Sequence, residues 1–139
     1  MNEERKALIR YRLTMARGTL GDALLLQRQG GSAWSVINRA YYAMFYAVLA
    51  LLTSIGEGSA KHAGVIALFD RHFVKTGTFP PEMSRWLHRA FALRQQGDYR
   101  ELVHIGPDRA GEVLQWAQTF VDRVDAFLRL QLDGGNDAR

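Results

Sequence analysis

Residues 40–52 run Ala40-Tyr41-Tyr42-Ala43-Met44-Phe45-Tyr46-Ala47-Val48-Leu49-Ala50-Leu51-Leu52 without one charged side chain. Read as a helix, this stretch is apolar on every side apart from tyrosine hydroxyls, and such a helix is surrounded by protein. At 13 residues the run falls short of the roughly 20 needed to span a bilayer. The helix is expected to begin at Ser32, a good N-cap, and to reach about Ile55. It is therefore the central element of the fold, a subunit contact, or both. Tyr41, Tyr42, Phe45 and Tyr46 lie on different sides of it. A 139-residue bundle has little interior for four such rings, which predicts a homodimer to which this helix contributes.

The sequence on either side is helical as well. Glycine and proline punctuate it at Gly30-Gly31, Gly56-Glu57-Gly58, Gly77, Pro80-Pro81, Gly97 and Gly106-Pro107, and no alternating strand pattern appears between them. Before the central helix, Ile9, Leu13, Ala16, Leu20 and Ala23 mark one buried side of a helix from about Glu3 to Gln29, weakened in its middle by Gly18 and Gly21. After it, Val65, Phe69 and Phe73 with Leu68 give a helix that starts beyond Ser59 and ends before Gly77. Pro81 opens the next, whose seam is Met83, Leu87 and Ala90. Val113, Ala117, Phe120, Val124 and Phe127 form the seam of the last, from about Pro107 to Leu132. Short connections favour adjacent antiparallel helices. The expected fold is all-α: an up-and-down four-helix bundle with an additional short helix, spanning residues 1–132, followed by a flexible polar tail over 133–139.

Composition narrows the chemistry. There is no cysteine, which removes disulfide scaffolds, zinc ribbons, iron–sulfur sites and thiol nucleophiles. Eighteen Lys and Arg stand against 14 Asp and Glu, for a net charge of +4. Fifteen of the eighteen cations are arginine, whose planar fork suits phosphate or carboxylate. Met1-Asn-Glu-Glu-Arg-Lys lacks a signal peptide's apolar stretch, so a cytoplasmic domain with no membrane partner is expected. His72, His88 and His104 show no metalloprotease spacing, and no Gly-rich phosphate loop or dinucleotide fingerprint occurs. Neither a metal site nor a cofactor is expected.

Three places could carry chemistry. Asn38-Arg39 lies one turn into the central helix, with Tyr42 and Tyr46 spaced to share a side with Arg39 and Ser35 one turn before it. Either the Arg39 stem packs on tyrosine while its head reaches solvent, or the guanidinium lines a polar cleft; the uniformly apolar sequence that follows favours the cleft. Continuing the seam of the fourth helix beyond Ala90 lands on Arg94. A buried arginine needs a partner. Asp98 supplies one in a structural salt bridge; alternatively Arg94 grips a phosphate with Asp98 and Tyr99 beside it. Lys61-His62 opens the third helix, where cations oppose the helix dipole unless an anion binds. Were the protein to cut RNA, His104 is the default general base, being the histidine nearest in sequence to the Arg94–Tyr99 break.

Together, Asn38-Arg39-Ala40-Tyr41-Tyr42-Ala43-Met44-Phe45, Lys61-His62-Ala63-Gly64-Val65 and Arg94-Gln95-Gln96-Gly97-Asp98-Tyr99 resemble, in order, blocks of the HEPN (higher eukaryotes and prokaryotes nucleotide-binding) family, in its small single-domain prokaryotic branch. The resemblance covers essentially the whole chain and implies a four- or five-helix bundle that dimerises. It also implies a minimal nucleotidyltransferase as partner, in a toxin–antitoxin pair. Many members are metal-independent ribonucleases, in which an arginine holds the phosphate and a histidine, separated from it by about four to six intervening residues, assists proton transfer. Here Arg94 is followed by Asp98 and Tyr99 where that histidine is expected, and His104 comes too late; Arg100 precedes His104 with one intervening residue too few. The resemblance thus carries over Arg94 as a phosphate-facing residue but no catalytic histidine. The expected function is binding of a nucleotide or RNA phosphate by Asn38, Arg39, Tyr42, Arg94 and Asp98, with Lys61 and His62 as a second anion contact. The alternatives are a metal-independent endoribonuclease using Arg94 with Tyr99 or His104, and a non-catalytic dimeric adaptor.

Overall fold

A computed structural model describes residues 1–99 and 104–137, with side chains as far as Gly134. The chain is all-α: α1 (Glu3–Arg28), α2 (Ala33–Ser54), α3 (His62–Phe69), α4 (Pro81–Gln96) and α5 (Pro107–Asp137). Capping sets the first two starts. Asn2 Oδ1 accepts the Arg5 N–H at 2.8 Å, and Ser32 Oγ accepts the Ser35 N–H at 3.1 Å. Pro81 occupies the first turn of α4, where its missing N–H breaks no helical bond.

α2 touches each of the other four helices. It is long and apolar enough to cross a membrane by length and composition alone, yet 72% of that stretch is buried inside the bundle. Ile37, Ala40, Met44, Ala47, Val48 and Leu51 are completely buried. The stripes expected on α1, α4 and α5 face this helix: Ile9, Leu13, Ala16, Met83, Leu87, Ala90, Val113, Ala117, Phe120 and Val124 are all inaccessible to solvent. α1 and α5 also pack on one another, clamped at their surface by Arg17, whose Nη1 and Nη2 reach Asp122 at 2.6 Å and Asp125 at 2.8 Å.

The four-ring count behind the homodimer expectation is met largely within one chain. Tyr41 and Phe45 are buried, while Tyr42 and Tyr46 are half-buried. Room for them comes from α3 and α4, which bring His62 and Phe91 onto the same side of α2.

Two helix ends differ from the sequence reading. The last turn of the third helix widens into a π-helical segment over Asp70–Val74, closed by a Lys75 N–H to Asp70 C=O bond of 2.8 Å. It keeps Phe73 buried against Phe69 and Phe79. α5 runs on to Asp137, past the Leu132 expected, because a glycine pair weakens a helix without sterically stopping it. Of the expected tail, residues 138 and 139 lie outside the described residues.

Candidate functional site

Tyr42 is where the two inward-leaning arginines meet. The Arg39 guanidinium, from one turn earlier on α2, lies 5.5 Å from the centroid of its ring. The Arg94 guanidinium, from the last turn of α4, also lies 5.5 Å from that centroid. Both arginines are partly buried and belong to one protomer. A cation over an aromatic face gains about 0.5–2 kcal/mol, but two like charges sharing a ring repel each other. Among the described residues neither arginine forms an ion pair, although Asp98 lines the same cleft. Arg39 makes one long bond, Nη2 to Asn38 Oδ1 at 3.5 Å. The Arg94–Asp98 salt bridge considered from the sequence does not form; α4 instead gives way to a 3₁₀ turn over Gly97–Tyr99.

The arginines open onto a cleft of about 330 Å³. One wall is the beginning of α2, which contributes Trp34, Ser35, Asn38 and Arg39. The other is the end of α4 and its turn, with Arg94, Gly97 and Asp98; Leu26, near the end of α1, completes the lining. Gly97 is small for a reason of packing. A methyl group there would stand 3.3 Å from Trp34 Cε3, so the bare backbone lets the indole lie against the turn. Ser35 receives a hydrogen bond from the Ser32 hydroxyl at 2.8 Å.

His62 belongs to the same neighbourhood through the tyrosines. As the first residue of α3, it lays its ring on Phe45, with centroids 4.1 Å apart and planes at 12°, and meets Tyr42 edge-on at 5.7 Å. Its Nδ1 is 2.7 Å from the Tyr41 hydroxyl. Burial, helped by the positive charge of Arg94, pushes the His62 pKa below the usual imidazole range, so the ring is neutral at pH 7. Burial pushes the Tyr41 phenol upward, with the neighbouring Tyr42 adding to it and Arg94 opposing. The phenol therefore keeps its proton. Where Tyr41 is the donor in this bond, the imidazole proton sits on Nε2.

Of the residues singled out from the sequence, Asn38, Arg39, Arg94 and Asp98 come together around the cleft, and Tyr42 and His62 join them through Arg39 and Arg94. Lys61 does not. It is exposed at the N-cap of α3 and makes no side-chain cap; its backbone N–H donates to Ser59 Oγ at 3.2 Å and its carbonyl accepts from the Val65 N–H at 3.0 Å. Tyr99 is 66% exposed and His104 is exposed; neither lines the cleft. Arg100 lies outside the described residues. Trp34 and Gly97 were missed as cleft residues. The signal for Trp34 was available, since it stands four residues before Asn38 on one face of the helix; the signal for Gly97 was not, since it depends on where α4 ends relative to α2. Among the described residues, no group of three or more His, Asp or Glu side chains could hold a metal ion.

The description of the HEPN domain matches residues 9–127, which takes in α1 from its second turn through most of α5 and every residue of the cleft. The chain belongs to the HEPN family. A UPF0332 protein of Thermotoga maritima is 40% identical to it over 92% of this chain and 96% of the relative. Two proteins of Methanocaldococcus jannaschii are also similar. One, named "Putative toxin MJ0142", is 32% identical over 73% of this chain and 70% of its own length. The other, named "Putative toxin MJ0605", is 33% identical over 67% of this chain and 69% of its own. In this HEPN domain the histidine whose titration Arg94 influences is His62, which comes from another helix and lies well before Arg94 in the chain.

Proposed function

We propose that this HEPN domain is a toxin-type module that binds a phosphate of a nucleotide or an RNA strand between Arg39 and Arg94. In this reading it is cytoplasmic, works as a homodimer, and is paired with a minimal nucleotidyltransferase. The observation that carries the reading is the placement of two guanidinium groups on one tyrosine ring, without an ion-paired carboxylate among the described residues, at the edge of a cleft that also offers Ser35 and Asn38. A phosphate removes the repulsion between the two cations and accepts their planar forks. The names of the two Methanocaldococcus jannaschii relatives support the toxin assignment. Fluorescence polarisation with a labelled single-stranded RNA tests it: Arg39→Ala and Arg94→Ala should each weaken binding at least tenfold while the circular dichroism spectrum stays helical. Equal binding by wild type and both variants would remove the site.

A second reading, metal-independent RNA cleavage, is favoured by His62 rather than by the residues the sequence suggested. Tyr99 and His104 are exposed and do not line the cleft; His62 does not line it either, but it is neutral, hydrogen-bonded to Tyr41 and electrostatically coupled to Arg94. A neutral imidazole beside a phosphate-holding arginine suits removal of a ribose hydroxyl proton. RNA incubated with the protein in excess chelator should then be cut, and His62→Gln and Arg94→Ala should abolish the cutting. Intact RNA at high protein concentration leaves the binding role alone.

A further inference from the structure

A bare phosphate would leave three cleft residues without a task. Trp34 presents an indole to the cleft and Asn38 an amide, and Asp98 places a carboxylate there although it pairs with neither arginine. A carboxylate beside a phosphate is repulsive unless something lies between them that it can accept hydrogen bonds from. Ribose hydroxyls are such groups, and acidic side chains take that role in nucleotide sites. The indole offers a stacking platform for a base. Trp34 and Arg39, both on α2, line the same cleft. A cleft of about 330 Å³ lies at the small end of ligand pockets, in the range of one nucleotide.

We infer that the cleft takes one whole ribonucleotide unit, its base stacked on Trp34, its ribose on Asp98 and its phosphate between Arg39 and Arg94. This rests on the phosphate reading above and adds what surrounds the phosphate. Gly97 then has a function beyond packing, because its missing side chain sets how deeply the Trp34 indole is seated. Asn38, between the two ends, is placed to bond the sugar or the base edge.

Isothermal titration separates the two claims. Wild-type protein is titrated with adenosine 5′-monophosphate, with ribose 5-phosphate, and with a triadenylate. The nucleotide should bind at least tenfold more tightly than ribose 5-phosphate, in line with base stacking on an aromatic side chain. Trp34→Leu should erase that difference by weakening the nucleotide alone, and Trp34→Phe should keep most of it. A triadenylate that binds more tightly than the mononucleotide identifies a strand as the source of the unit, and equal binding identifies the free nucleotide. Ribose 5-phosphate binding as tightly as the nucleotide overturns the inference while leaving the phosphate site standing, and that comparison needs no variant to fold. If neither compound nor the triadenylate binds wild type, the phosphate reading fails with it.

Discussion

Tyr42 takes two guanidinium groups over its ring while an uncharged imidazole meets it edge-on, and the charge of Arg94 bears on that imidazole. His62 titrates below 6.5 because the protonated ring would lose solvent and face Arg94. In the NMR titration of its imidazole, Arg94→Gln should move the midpoint upward, toward the ordinary value; an unchanged midpoint would show that Arg94 does not reach it. The sign for stability follows from the same shift. With the folded pKa depressed, the unfolded chain binds more protons than the folded one between the two values, so His62 favours folding above pH 6.5 and that contribution is lost as pH falls through the folded pKa. Urea melts across that window should show stability dropping toward acid, with a shallower slope in His62→Gln. Tyr41→Phe should cost about 0.5–1.5 kcal/mol, since it deletes the 2.7 Å hydrogen bond to His62 without altering the buried ring.

Among the elements, α2 was the most legible, because thirteen uncharged positions in a row admit no exposed side. The four-three rhythm of α1, α4 and α5 gave their buried faces for the same reason, and extending the α4 seam by one step located Arg94. What the rhythm does not carry is which ends meet. The stacking of His62 on Phe45, the seating of Trp34 on Gly97 and the absence of an Arg94–Asp98 bridge depend on how three helices converge, and no periodicity along one of them encodes that. Nor does the π segment at Asp70–Val74 have a pattern distinct from an ordinary helical turn. Glycine gives two opposite tests at this scale. Gly18 and Gly21 face open space in the middle of α1, so Gly→Ala at each should stabilise the fold by about 0.5–1 kcal/mol in chemical denaturation. Gly64 is different: an added Cβ would fall on the Ser59 hydroxyl and within 2.9 Å of Ser59 Cβ. Gly64→Ala should cost on the order of 1–3 kcal/mol, and Ser59→Gly in the same chain should restore much of it.

The whole molecule is an apolar bundle organised around one helix, and the concavity between the start of α2 and the end of α4 is lined by Arg39, Arg94 and Asp98. The surface ion pairs, such as Arg17 with Asp122 and Asp125, fasten neighbouring helices at little more than about 1 kcal/mol each. Arg39 and Arg94 form no ion pair among the described residues; what distinguishes them is that both lie over the Tyr42 ring and line one cleft. Light scattering should report twice the 15.7 kDa chain mass if the homodimer forms. The central claim is tested most directly by thermal melts of wild type and Arg94→Gln, each with and without a saturating single-stranded RNA. Removing one of two repelling cations should leave the ligand-free melting temperature unchanged or higher and abolish the rise that RNA produces in wild type. A variant that melts several degrees lower without RNA, yet gains the full wild-type increment with it, would mean that Arg94 supports the fold and holds no phosphate.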